Sequence, residues 1–112
     1  MSAEIHYSPR AIRDLDDIYD YIANHLQNVT AAQKMVNGVL DAVENLSSFP
    51  ESGAKLIFPH GLDSGYRYVQ YKKYLAFYHL SDTNVYVDRV LYGKQDYENL
   101  LISFSYSICN NM

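Results

Sequence analysis

GYRYVQYKKYLAFYHLSDTNVYVDRVLY, residues 65–92, is the stretch whose reading decides the fold. Tyr66–Tyr71 and Tyr74–Leu80 are rich in the aromatic and branched residues that strands favour, and Lys72-Lys73 separates them. A two-residue connection between two such runs makes a tight hairpin. Ser81-Asp82-Thr83-Asn84 is a second polar turn, and Val85–Tyr92 is a third strand that Gly93 ends. Three strands joined by short turns predict an antiparallel meander, with tyrosines on both of its faces because Tyr66 and Tyr68 alternate against Tyr71.

Working outward, residues 4–8 (EIHYS) form a short strand, and Ser8-Pro9 stops it and opens a helix. Ile12, Leu15, Ile18 or Tyr19, Ile22 and Leu26 form one apolar stripe at helical spacing. Asn28 marks a break, and Thr30 with Gln33 is a capping-box pattern for a second helix. Ala32, Val36, Val39, Val43 and Leu46 carry the second stripe as far as Ser47-Ser48. Two amphipathic helices joined by so few residues predict an antiparallel helical hairpin. Residues 50–65 read as a loop in which Leu56-Ile57-Phe58 is an anchoring patch or a brief strand. Beyond the meander, QDYENLLIS (95–103) reads as a short helix with Tyr97, Leu100 and Leu101 inward. The order β-α-α-β-β-β predicts an α+β domain spanning 1–102, its helical hairpin packed on one face of a mostly antiparallel sheet, followed by a tail at 103–112.

The chain has 112 residues, 48% apolar and 20% charged, the balance of an ordinary globular domain. No apolar run approaches the ~20 residues that span a bilayer. With no secretory pattern at the start and one cysteine, Cys109, a cytoplasmic location is expected. The net charge of −4 is unevenly distributed. Residues 1–52 hold three cations against eight carboxylates, a net of −5, whereas residues 66–94 hold five against two, a net of +3. The overall sign opposes non-specific nucleic-acid binding, which is mainly phosphate neutralisation.

Signatures of known chemistry are absent. There is no glycine-rich phosphate loop, no cysteine pair and no nucleophile elbow, and His6, His25, His60 and His79 lack metal-ligand spacing. Neither a metal nor a cofactor is implied. Asp16 and Asp20 read as a solvated helix face. Arg67 alternates with Val69 and Tyr71, and Arg89 with Val85, Val87 and Leu91. Two readings stand for both. Each is a half-buried structural arginine paired with a helix carboxylate such as Asp16, or a guanidinium that holds a phosphate or carboxylate. The tyrosines divide in the same way, between cross-strand packing and a binding surface. Tyr68, Tyr86 and Tyr97 with Lys72, Lys73 and Lys94 are the candidate residues of that surface.

From Tyr66-Arg67 through Tyr74-Leu75 and Phe77-Tyr78 to RVLYGKQD (89–96), the chain resembles the RelE/ParE superfamily of bacterial toxins from type II toxin–antitoxin modules. Ser8-Pro9-Arg10-Ala11, the acidic first helix with Leu15, Ile18 and Tyr21-Ile22, and Phe49-Pro50 after the second helix agree with it. The resemblance implies a growth-inhibiting toxin silenced by a cognate antitoxin, which alone contacts DNA. One branch of the superfamily cleaves mRNA on the ribosome without a metal. For that branch Arg67 and Arg89 match phosphate-binding arginines, and Tyr92 lies near its acid–base position. The other, plasmid-stabilising branch poisons DNA gyrase by protein contact. RVLYGKQDYE and the acidic charge favour the gyrase-directed branch, with the ribonuclease as the alternative and an inactive antitoxin-binding relative as a third option.

Overall fold

The computed structural model describes residues 3–58 and 60–93. Strand β1 (Ile5–Tyr7) leads into helix α1 (Pro9–Asp20), which continues as a π-helical turn over Tyr21–His25. Helix α2 (Val29–Glu44) and a short 3₁₀ turn follow, and then β2 (Ala54–Ile57), β3 (Asp63–Tyr71), β4 (Tyr74–Ser81) and β5 (Asn84–Tyr92). The five strands form one sheet in the order β1-β5-β4-β3-β2, antiparallel except for the parallel β1–β5 pair. The predicted α+β architecture is the observed one, and Leu56-Ile57 belongs to a brief edge strand. The predicted helix over 95–103 and the tail lie outside the described residues.

Local chemistry places the helices. The Ser8 hydroxyl accepts from the Ala11 N–H at 3.0 Å and donates to the Asp88 carbonyl at 2.9 Å, so one side chain caps α1 and ties it to β5. Gln27, at φ 51°, turns the chain out of the first helical segment. The Thr30–Gln33 box is not the cap of α2, because Asn28 accepts from the Ala31 N–H and Thr30 already lies inside the first turn.

Stripe two buries Ala32, Val39, Val43 and Leu46. Stripe one keeps Leu15, Ile18 and Ile22 inward as expected, but its two ends, Ile12 and Leu26, are exposed. Ala11, Asp14, Leu15, Ile18 and Ile22 face inward, whereas Ile12 is 50% exposed. The small side chain at Ala11, fully buried, lets α1 lie close on the sheet.

β4 is buried from Tyr74 through Tyr78, so it is packed on both faces. Tyr74, Ala76 and Tyr78 join Val85, Val87 and Val90 under the helices. On the opposite face Leu75 and Phe77 pack with Leu56 and Phe58, flanked by Tyr66, Tyr68 and Leu91. The sheet is thus aromatic on both sides, as the alternation predicts. Tyr71 faces the helices, its ring lying where a Cβ on Gly38 of α2 would stand, 2.1 Å from Cζ.

A β-bulge interrupts β5. Phe77 pairs with Arg89 but Tyr78 pairs with Val87, which leaves Asp88 as the extra residue. The bulge corrects the expected register of Arg89. Val85, Val87 and then Val90 face the helices, while Leu91 belongs to the other face.

Candidate functional site

The sequence-predicted residues that fall within the described chain each have a definite place. Arg67 donates from Nη1 to the carbonyls of Glu51 (3.1 Å) and Gly53 (3.0 Å), stitching β3 to the segment after α2. Arg89 donates to Asp14 from Nε (2.8 Å) and Nη2 (3.4 Å). The helix carboxylate is therefore Asp14 rather than Asp16, which is exposed. Asp14 also accepts from the Val90 N–H at 3.0 Å and lies 3.7 Å from the Arg10 guanidinium. One carboxylate thus satisfies the β5 edge beyond its pairing with β1 and holds the arginine beside it. The two predicted arginines do not converge, because β4 runs between their strands.

Tyr68 packs on the face away from the helices, its ring tilted against Phe77 at 5.7 Å. Tyr86 stands in a row of parallel rings on the same sheet, stacked on His6 at 4.9 Å and on His79 at 5.3 Å, both at 14°. Rings stacked on one another offer solvent their edges rather than their faces. This row therefore stabilises the sheet across β1, β5 and β4, with both faces of the Tyr86 ring covered. His79 Nδ1 meets Asp88 Oδ2 at 2.5 Å.

Burial pushes the Asp88 carboxyl above its ordinary 3.8, and the His79 hydrogen bond offsets only part of that rise. A carboxylate raised on folding contributes stability below its ordinary value and loses it as pH rises through the folded value. Wild type is therefore expected to lose stability relative to Asp88→Asn as pH climbs from about 3 into the raised range. Paired urea unfolding curves measure this, and a wild-type gain over that window would refute it.

Three further candidates meet at one place. Lys72, Lys73 and Tyr92 line a groove of about 690 Å³ with Tyr21, Ile22, Leu26 and Met35. Lys72 is held in the left-handed region at φ 53°, its Nζ 5.9 Å from the Tyr71 ring. Tyr74 forms part of the groove and meets Tyr92 edge-on at 5.1 Å. Lys94 and Tyr97 lie outside the described residues. Sequence reasoning missed Tyr21, Leu26 and Met35, which helix packing brings to the hairpin tip. It also missed Asp14, although Ala11, Asp14, Leu15 and Ile18 sit at the i, i+3, i+4, i+7 spacing of a buried face. Among the described residues no His, Cys, Asp and Glu cluster is placed to hold a metal ion, and no helix is long and apolar enough to cross a membrane.

A small mixed sheet under a helical hairpin defines a class in which the toxins of type II toxin–antitoxin systems are found. Residues 5–97 match the family model described as ParE toxin of the type II toxin–antitoxin system, parDE. The chain belongs to that ParE toxin family. The fold is similar to that in the chromosomal ParDE toxin–antitoxin system from P. aeruginosa. The TM-score is 0.66 at 21% identity, over 82% of this chain and 97% of the other. It is also similar to that in the RelBE2 toxin–antitoxin complex from Mycobacterium tuberculosis. Here the TM-score is 0.60 at 19% identity, over 82% and 92% of the two chains. No curated protein matches the chain in sequence.

Proposed function

We propose that this toxin inhibits bacterial growth by binding DNA gyrase and is neutralised by a cognate antitoxin, with no chemistry of its own. The observation that carries this reading is the commitment of both predicted arginines. A phosphoryl-transfer site needs cations aimed at the charge that develops in the transition state. Arg89 is instead spent on Asp14, and Arg67 donates to two backbone carbonyls. The −4 net charge and the self-stacked His6–Tyr86–His79 row also support a protein target over an RNA one. An mRNA-cleaving activity keeps one observation in its favour, the half-exposed Tyr92 phenol in the same groove as Lys72 and Lys73.

The test is direct. Purified chain at micromolar concentration should block supercoiling by gyrase, and the co-expressed product of the adjoining reading frame should restore it. Undisturbed supercoiling together with cleavage of ribosome-bound messages would replace this reading with the ribonuclease. Loss of neither process, with the adjoining product still bound, would leave an inactive antitoxin-binding relative.

A further inference from the structure

The groove between the end of the first helical segment and the β3–β4 turn has the build of a small-molecule site. Single exposed apolar side chains are ordinary on a protein surface, but their convergence on one concavity is not. Tyr21 (53% exposed), Leu26 (63%) and Tyr92 (53%) all line this groove, and Met35 adds a polarisable side chain to its wall. Its volume of about 690 Å³ falls within the ~300–1,000 Å³ of ligand pockets.

The walls are held in place without a ligand. Tyr21 stacks on His25 at 4.8 Å, and Tyr74 meets Tyr92 edge-on at 5.1 Å. The turn that carries Lys72 and Lys73 is tied down as well. The Tyr71 ring before it fills the notch that Gly38 leaves in α2. The Gln70 side-chain amide donates to the Lys72 carbonyl at 2.7 Å, and the Gly93 N–H donates to the Lys73 carbonyl at 2.8 Å. Neither lysine has a carboxylate partner among the described residues. A groove fixed before its ligand arrives gives up little conformational freedom on binding.

The geometry points to a small planar aromatic monoanion as the occupant of this groove, its rings among the tyrosines and its acidic group against Lys72 and Lys73. Three features select that class. Aromatic rings gain more from edge-on and offset contact with other rings than area burial alone supplies. Two unpaired ammonium groups at the rim of an apolar surface offer charge-assisted hydrogen bonds to one acidic group. Asp17, the one carboxylate among the described lining residues, opposes a second negative charge, so an aryl carboxylate or sulfonate fits better than a nucleotide. The inference is independent of which cellular target the toxin acts on.

The dyes 8-anilinonaphthalene-1-sulfonate and N-phenyl-1-naphthylamine share one ring system and differ in the sulfonate, so fluorescence titration of the full chain with each tests the groove. The expected result is saturable one-to-one binding of the sulfonate. Leu26→Asp should weaken both dyes. Lys72→Gln/Lys73→Gln should weaken the sulfonate alone, by roughly tenfold, and remove its salt dependence. These positions are exposed, so folding should be kept, as unchanged melting curves would verify. Should Leu26→Asp lower the melting temperature, the lysine variant compared across the two dyes decides by itself. No saturable binding, or sulfonate binding that the lysine variant leaves intact, would overturn the assignment. Equal loss of both dyes in that variant, or displacement by adenosine monophosphate as readily as by 1-naphthoate, would overturn the ligand class. Dye binding that disappears as the chain self-associates would give the groove to a second copy and overturn the proposal.

Discussion

Replacing Asp14 with alanine is expected to lower the unfolding free energy by about 3–5 kcal/mol, the range found when one partner of a buried ion pair is removed. The size follows from what the side chain holds. Asp14 is 8% exposed and accepts from Arg89 Nε, Arg89 Nη2 and the Val90 N–H. Alanine leaves a guanidinium with little water and no counter-charge, and an edge N–H without an acceptor. Arg89 keeps 27% of its side chain exposed, and partial hydration there places the expectation at the lower end, near ~3 kcal/mol. A domain of this size is stable by only ~5–15 kcal/mol, so the shift in denaturation midpoint should be large. Arg89→Ala should cost less, because Asp14 retains the Val90 N–H and lies near Arg10. The double variant should cost less than the two single changes together, since removing both charges leaves neither uncompensated. Guanidinium unfolding of the four proteins closes the cycle. An Asp14→Ala variant within 1 kcal/mol of wild type would refute the structural role of the pair. The result also governs how an Arg89→Ala toxin is interpreted, because a growth defect lost along with stability says nothing about phosphate chemistry.

The meander was legible because its signals are local. Period-two alternation and two polar turns lie within residues 66–92, and the observed β3, β4 and β5 follow them. The helix stripes were legible in period and phase except at the ends of the first. Nothing local selects Ala11 over Ile12. The choice is made by the way α1 lies on the sheet, which leaves Ala11 fully buried and Ile12 half exposed. The bulge leaves a trace in the sequence. Val85, Val87 and Val90 are spaced by two and then three, which an uninterrupted strand with one inward face cannot be. The capping box misled because Asn28 and Thr30 both suit an N-cap and only the turn after Gln27 decides between them. Of the groove, Lys72 and Lys73 were legible as a polar turn between two strands and Tyr92 as the end of the third. Their partners Tyr21, Leu26 and Met35 come from the end of the first helical segment and the first half of α2, and reach the strands only through packing. Arg67 could not have been resolved, since its acceptors are backbone carbonyls and any sequence supplies those.

Gly53→Ala is expected to destabilise the chain by about 3 kcal/mol, more than an exposed-loop glycine would suggest. A Cβ there would stand 2.3 Å from the Tyr78 hydroxyl, 2.7 Å from Tyr78 Cε1 and 2.9 Å from the Tyr68 carbonyl oxygen. Tyr78 cannot retreat, since it is fully buried beneath the helices, and the Tyr68 carbonyl is strand backbone. The segment after α2 must move instead, and besides the Arg67 bond to the Glu51 carbonyl it is held by three bonds at Gly53 and Pro50. The Gly53 N–H donates to the Tyr78 hydroxyl at 3.0 Å, that hydroxyl donates to the Pro50 carbonyl at 2.8 Å, and Arg67 donates to the Gly53 carbonyl. Overpacking costs ~1–3 kcal/mol, and each hydrogen bond lost in the displacement adds ~1 kcal/mol. Tyr78→Phe separates these contributions. Alone it removes the hydroxyl and leaves the Gly53 N–H and Pro50 carbonyl to find water, at a cost of about 1–3 kcal/mol. In the Gly53→Ala background it also removes the atom in closest conflict, so the double variant should be more stable than additivity predicts. Strict additivity would place the Gly53 cost in the loop's own backbone and refute the clash with Tyr78. Since Arg67 grips the same segment, any detachment of residues 50–53 also frees its guanidinium. The variant should then bind polyanions such as heparin more tightly than wild type does, and the gain should fade with added salt.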